Sequence, residues 1–318
     1  MRSLISVILI TTILFSCKKD AIKVDNPSTT DAIEVVRFDQ LFYHKTAEEL
    51  LPLKQQFPYL FPTQVPEELW VSKSNNAEEI KLQQFAQQVF GDFKSEEKQL
   101  SALFDKVKKS FPTFKSPKVI TLITDLDYES NVIYADSLLF ISLDMYLGKK
   151  HEVYQDFPEY LAERYDKKML VVDVASAIAN KSFTASGRTN FLEHLINEGK
   201  KMSLVDAFLP NTPSYLKMGY TQEQYEWAEA NEFLIWQYFM EHQMLYSYDI
   251  DLLHRFVFEA PFSKFYLESD AESPGRIGVY MGWQIVKAYL KNNEVSLAEL
   301  VNTDPEIIFE KSKYKPRK

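Results

Sequence analysis

Apolar positions at helical spacing run through most of this chain, and one short block departs from them. Ala77–Phe90 places Ile80, Leu82, Phe85, Ala86, Val89 and Phe90 on one broad face, the recurrence of an amphipathic helix. Ser95–Lys109 repeats the pattern with Leu100, Leu103, Phe104 and Val107. Residues 36–115 therefore read as helical, except for Phe57–Pro66. Its three prolines predict an extended surface loop. The period changes at Lys118-Val-Ile-Thr-Leu-Ile-Thr124, which is β-branched and apolar. Three short strands are expected, Val119–Ile123, Val132–Tyr134 and Leu138–Ser142, with turns at Asp125-Leu126-Asp127 and Ala135-Asp136.

From residue 157 the helical period returns. Asp156-Phe-Pro-Glu reads as a helix start, and Lys168–Ala179 as a small apolar helix buried on several sides. Thr189–Lys201 follows. Thr221 and Gln224 form a capping box for a long helix carrying Trp227, Phe233, Trp236, Tyr238 and Phe239. That aromatic stripe reads as core. Ser273-Pro274 opens a further helix, on which Gly278 and Gly282 would let a neighbour approach closely. The fold class is α+β and mostly helical. A short sheet at about 118–143 precedes an all-helical C-terminal half, within one globular domain spanning 36–318.

The first residues have a different character. Arg2 precedes an apolar run from Leu4 to Phe15, then Leu14-Phe15-Ser16-Cys17. This is secretory-signal architecture, and the run is short of the roughly 20 residues a membrane span needs. Cys17 is the one cysteine of the chain, so it has no internal disulfide partner. The segment resembles a bacterial lipobox. Residues 1–16 are read as a signal peptide, Cys17 as the acceptor of palmitate or a similar acyl lipid, and residues 17–35 as a polar tether. Lys18, rather than Asp, follows the cysteine, which in familiar lipoprotein sorting favours the outer membrane, facing the periplasm.

Composition narrows the partners. The net charge is −9, which argues against nucleic acid and against charge-driven binding to anionic lipid. The expected partners are the membrane, through Cys17, and other envelope proteins. Motifs for common chemistry are lacking. None of the five histidines, His44, His151, His194, His242 and His254, belongs to a His-Glu-x-x-His set. No nucleophile elbow, P-loop or dinucleotide fingerprint occurs. With Cys17 lipidated, thiol chemistry is excluded as well. His194 and Glu198 are four apart on one helix face and could supply two metal ligands. A zinc catalyst needs about three with an open position, and the simpler reading is an ion-paired or hydrogen-bonded pair. No cofactor is expected.

Several motifs together resemble the gliding-motility lipoprotein GldB family. They are Asn197-Glu-Gly-Lys200, Gly219-Tyr-Thr-x-Glu-Gln224 followed by Trp227, Ala260-Pro-Phe-Ser263, Glu272-Ser-Pro-Gly-Arg-Ile-Gly278, Gly282-Trp-Gln-Ile-Val286 and Ser312-Lys-Tyr-Lys-Pro316. That family is in turn similar to zincin-like peptidases, whose order is strands, a His-Glu-x-x-His helix, then a helix whose Glu-Gly supplies a third ligand. The resemblance implies a zincin-like fold in which Lys168–Ala179 is the former active-site helix and Glu198-Gly199 the former third-ligand site. No histidine lies between His151 and His194, so no register restores the motif. Asp173 and Ala177 stand at the two lost histidine positions, and Val174 at the lost general base. The implied state is a pseudoenzyme, with a vestigial cleft near Asp173, Ala177, His194, Glu198 and Arg276. The implied function is a non-catalytic, membrane-anchored adaptor for gliding motility or its associated secretion machinery. Two alternatives stand beside it: a metal-dependent peptidase or hydrolase using His194, Glu198 and His242 or His254, and an envelope peptide-binding protein unrelated to motility.

Overall fold

The structure, a computed structural model, describes residues 33–183 and 189–318. The signal peptide, Cys17 and most of the tether lie outside the described residues. Three strands form where the β-branched block predicts them: β2 (Lys118–Leu122), β3 (Val132–Ala135) and β4 (Leu138–Ser142). A fourth, β1 (Val35–Val36), precedes them in the chain. The sheet order is β1-β2-β4-β3. β1 and β4 flank β2 in parallel, and β3 closes the far edge antiparallel to β4. Asp125, Leu126 and Asp136 take positive φ in the expected turns.

The tether expected through residue 35 is therefore shorter. Ile33 is buried and Val35 pairs with Val119. Two residues carry too little periodicity to read as a strand; only the free edge of β2 makes them one. Phe57–Pro66 also departs from expectation. Phe57 and Phe61 are buried and a 3-10 turn spans Pro58–Leu60, so the segment pins aromatic side chains into the core.

The helices before the sheet are α1 (Phe38–Leu41), α2 (Ala47–Gln56), α3 (Glu67–Ser74), α4 (Ala77–Phe90) and α5 (Lys94–Ser110). After it come α6 (Glu159–Ala162), α7 (Leu170–Lys181), α8 (Phe191–Phe208), α9 (Ser214–Met218), α10 (Gln222–Ala230) and α11 (Glu232–Glu241). The last are α12 (Asp251–Phe256), α13 (Ile277–Asn292), α14 (Leu297–Asn302) and α15 (Pro305–Ser312). The Thr221–Gln224 capping box is present, but the long aromatic helix is two. Asn231 turns its amide back to the Trp227 carbonyl at 2.8 Å, and local side-chain bonding of this kind competes with helix continuation.

α8 joins two apolar clusters. Phe191, Leu192, Leu195 and Ile196 belong to the C-terminal one, whereas Leu204, Val205 and Phe208 belong to the one that packs on the sheet. Its crossing with α13 is backbone on backbone. A Cβ at Gly282 would lie 1.7 Å from the Leu195 carbonyl oxygen, and one at Gly199 would lie 2.2 Å from the Gly282 carbonyl oxygen.

Just past the C-terminal ends of β2 and β4, Asp144 is fully buried. Its carboxylate accepts from the Thr124 and Leu126 amides at 3.1 and 2.8 Å. Burial outweighs these bonds and raises its pKa from 3.8 to about 6. The folded state thus binds this proton more tightly than the unfolded chain does. Between pH 3.8 and 6 its ionisation destabilises the fold progressively, by about 3 kcal/mol in total from a two-unit shift. Urea unfolding across pH 4–8 should show wild type losing stability relative to Asp144→Asn as pH rises to 6, with no further change above 7.

Candidate functional site

Asp173 lies on the buried face of α7 and is 6% exposed. One carboxylate oxygen accepts from the Tyr146 hydroxyl at 2.9 Å and the Asn131 amide at 3.1 Å. The other accepts from Arg164 at 2.8 Å. Arg164 follows α6 and reaches back over Gly219, where any Cβ would come within 3.3 Å of the guanidinium. Gly219 has φ +72, so the close approach and the backbone both call for glycine there.

A second guanidinium nitrogen of Arg164, Nη1, donates to Glu259 at 2.9 Å. Glu259 in turn pairs with Arg276 at 3.2 Å. Asp173, Arg164, Glu259 and Arg276 thus form one continuous chain of alternating charge, contributed by four separate segments. Burial works against the Arg164 charge, but Asp173 and Glu259 outweigh it and its pKa rises. Partial desolvation raises Glu259, while Arg276 and Arg164 more than offset it and hold the carboxyl below its usual range. Burial and Asp173 push the Tyr146 phenol far up, so it remains a donor at any physiological pH.

Two hollows flank Arg164. The larger, about 200 Å³, is lined by Lys149, Glu163, Lys168, Tyr215, Tyr220 and Glu223, among others. The smaller reaches Glu259, Ala260 and Arg276. The walls are polar, and Lys149 is paired with Glu163 at 2.7 Å.

Of the residues expected in the cleft, the structure brings Asp173 and Arg276 into one ion chain. Ala177 lies one turn along α7, half-buried. His194 and Glu198 do not join the chain. The His194 ring contacts the Thr189 hydroxyl at 2.7 Å and lines a separate hollow with Phe191, Ile250 and Leu253. Burial lowers its pKa against the pull of Glu198 and Glu193. Glu198 pairs with Lys201 at 2.6 Å. His242 stacks on Tyr238 and His254 packs against Phe258. The alternative ligand set is therefore not assembled. Among the described residues no three His, Cys, Asp or Glu side chains are grouped to hold a metal ion.

A family model described as gliding motility protein GldB matches residues 18–316. The chain belongs to that family. No curated protein and no solved structure matches it. Membership carries a role in gliding motility. Among the described residues, no helix is long and apolar enough to cross a membrane.

The motifs that carried the resemblance turn out to build the frame of this GldB-family site. In Asn197-Glu-Gly-Lys200, Gly199 permits the α8–α13 crossing and Lys200 donates to the Thr303 carbonyl, past the end of α14, at 2.5 Å. Ser263 donates to the Pro274 carbonyl and accepts from the Ile277 amide. This clamps Ala260-Pro-Phe-Ser263 onto Glu272-Ser-Pro-Gly-Arg-Ile-Gly278. The clamp also corrects the expected helix start: α13 begins at Ile277, because Arg276 before it has φ 58 and Gly275 is pressed onto the Ala260 carbonyl. In the tail motif, Tyr314 donates to the buried Glu232 at 2.8 Å, and Tyr280 donates to the same carboxylate.

Arg164 and Glu259 went unseen in the sequence. Arg164 sits in a segment with no motif. Glu259 had one signal, its place directly before Ala260-Pro-Phe-Ser263.

Proposed function

We propose that this protein is a non-catalytic adaptor of the gliding machinery, held at the outer membrane by lipid on Cys17, with its cleft kept as a binding site. The observation that carries this reading is the Asp173–Arg164–Glu259–Arg276 chain. Asp173, at one of the positions where the resemblance puts a lost metal-binding histidine, is committed to Arg164, Tyr146 and Asn131. An anion neutralised by a guanidinium and two further donors is a poor ligand for a cation. If the chain descends from a zincin-like ancestor, as the resemblance implies, this polar lock stands where its metal site was. Fold ancestry alone would not assign an activity; the non-catalytic reading is supported by the side chains at the position.

Anchoring is the part of this reading most open to direct test. In a strain lacking the gene, the wild-type copy should restore surface movement and incorporate labelled palmitate. Cys17→Ala should incorporate none, leave the membrane fraction and fail to restore movement. A Cys17→Ala protein that remains membrane-bound and fully supports movement would overturn the anchored-adaptor reading.

A further inference from the structure

The ion chain is asymmetric. Its inner carboxylate, Asp173, is 6% exposed and is held by three donors. Its outer carboxylate, Glu259, is 48% exposed and, among the described residues, is held by the two arginines. Without Glu259, Arg164 and Arg276 contribute +2 and Asp173 −1, leaving +1 at the mouth of the cleft. Among the described residues, Arg276 would then keep the Met218 carbonyl at 3.4 Å.

The backbone around this pair is fixed for its task. Arg276 is held at φ 58, a conformation that costs a residue with a Cβ roughly 1 kcal/mol or more and that tends to persist where function requires it. Ala260, next to Glu259, abuts Gly275 so closely that a Cβ there would lie 2.0 Å from the Ala260 oxygen. Opening the arginine pair therefore needs no loop movement. Rotation of the Glu259 side chain into the water that already covers half of it suffices.

We infer that Arg164 and Arg276 are a receptor for a carboxylate on a peptide segment of a partner, and that Glu259 is the resident occupant such a ligand displaces. The inference rests on the reading of the cleft as a non-catalytic binding site and names what that site takes. Two guanidiniums complement a carboxylate in charge, and Glu259 shows both of them converging on one carboxylate oxygen, Oε1. The adjoining hollow of about 200 Å³, with Tyr215 and Tyr220 in its wall, has room for a neighbouring side chain. Any ligand must compete with Glu259, so its apparent affinity is reduced by the fraction of time the arginines are free.

The test is titration of the full-length lipidated protein in detergent micelles with labelled five-residue alanine peptides. One pair carries a central Glu or Gln with both ends blocked. A second pair has a free or an amidated C-terminus. The two pairs distinguish a side-chain carboxylate from a terminal one. In at least one pair the charged member should bind at least tenfold more tightly than its neutral counterpart. Glu259→Gln should tighten that binding about tenfold, a gain that misfolding cannot produce. Arg276→Lys should weaken it about tenfold and abolish the gain in the double variant. Equal binding of charged and neutral peptides, or no tightening in Glu259→Gln, overturns the inference while leaving the adaptor reading intact. Peptide that binds as expected but is recovered cleaved supports carboxylate recognition and overturns the non-catalytic reading.

Discussion

Gly282→Ala is expected to lower the midpoint of thermal unfolding by about 10 °C, equivalent to a loss of about 4 kcal/mol for a domain of this size. The added methyl would sit 1.7 Å from the Leu195 carbonyl oxygen. The obstacle is backbone within α8, not the end of a flexible side chain, so relief requires the two helices to separate. Leu195, Ile277, Trp283 and Ile285 share the cluster at this crossing. Separation would loosen their packing, and overpacked cores of this kind relax poorly. Differential scanning calorimetry provides the measurement. Gly91→Ala serves as a control, since no atom lies within 4 Å of its Cβ position and only its φ of +51 opposes the change. With φ 51 and ψ −119 at Gly91, it should cost about 1–3 kcal/mol. Similar losses in the two variants would mean that the crossing is not what requires glycine at 282.

Asp173→Ala should destabilise the protein by about 3–5 kcal/mol, the usual cost of removing one partner from a buried ion pair. The Arg164 guanidinium would keep Glu259, but its inner nitrogen would face the Tyr146 hydroxyl and the Asn131 amide, which had been donors to the missing carboxylate. Three donors would then converge, with the Tyr146 hydroxyl oxygen the one acceptor among them. Asp173→Asn restores shape and one acceptor, so it should recover part of the loss, about 1 kcal/mol. Urea unfolding of the two variants checks both numbers. A loss under 1 kcal/mol in Asp173→Ala would show that water enters and replaces the carboxylate. The residue would then be dispensable to the lock from which the adaptor reading starts.

The elements were legible in the chain to the extent that their signal was local. α4 starts and stops at Ala77 and Phe90 as its periodicity and Asn76 cap dictate. β4 likewise covers Leu138–Ser142. The capping box at Thr221 was readable because its two partners are three residues apart. Misreadings occurred where distant segments decide. Val35–Val36 is a strand because β2 lies beside it. Phe57 and Phe61 are core because Phe38, buried with them, offers a surface. α13 starts late because a loop thirteen residues upstream of Arg276 supplies Ser263 as its cap.

The site divides in the same way. By itself the sequence determined the family, through motifs whose residues prove to hold helices and loops in place, and the absence of a His-Glu-x-x-His set. It also singled out Asp173 and Arg276. The tertiary structure alone decided that these two belong to one ion chain and that His194 and Glu198 stand outside it. It also decided that Arg164 and Glu259 complete the chain. The reason is physical. Residues 164, 173, 259 and 276 sit on four segments, and no periodicity or spacing links charges so far apart. Their meeting depends on where Gly199, Gly275 and Gly282 allow backbones to touch and where Gly219 admits the Arg164 guanidinium, and contact at that distance is settled only when the whole chain has packed.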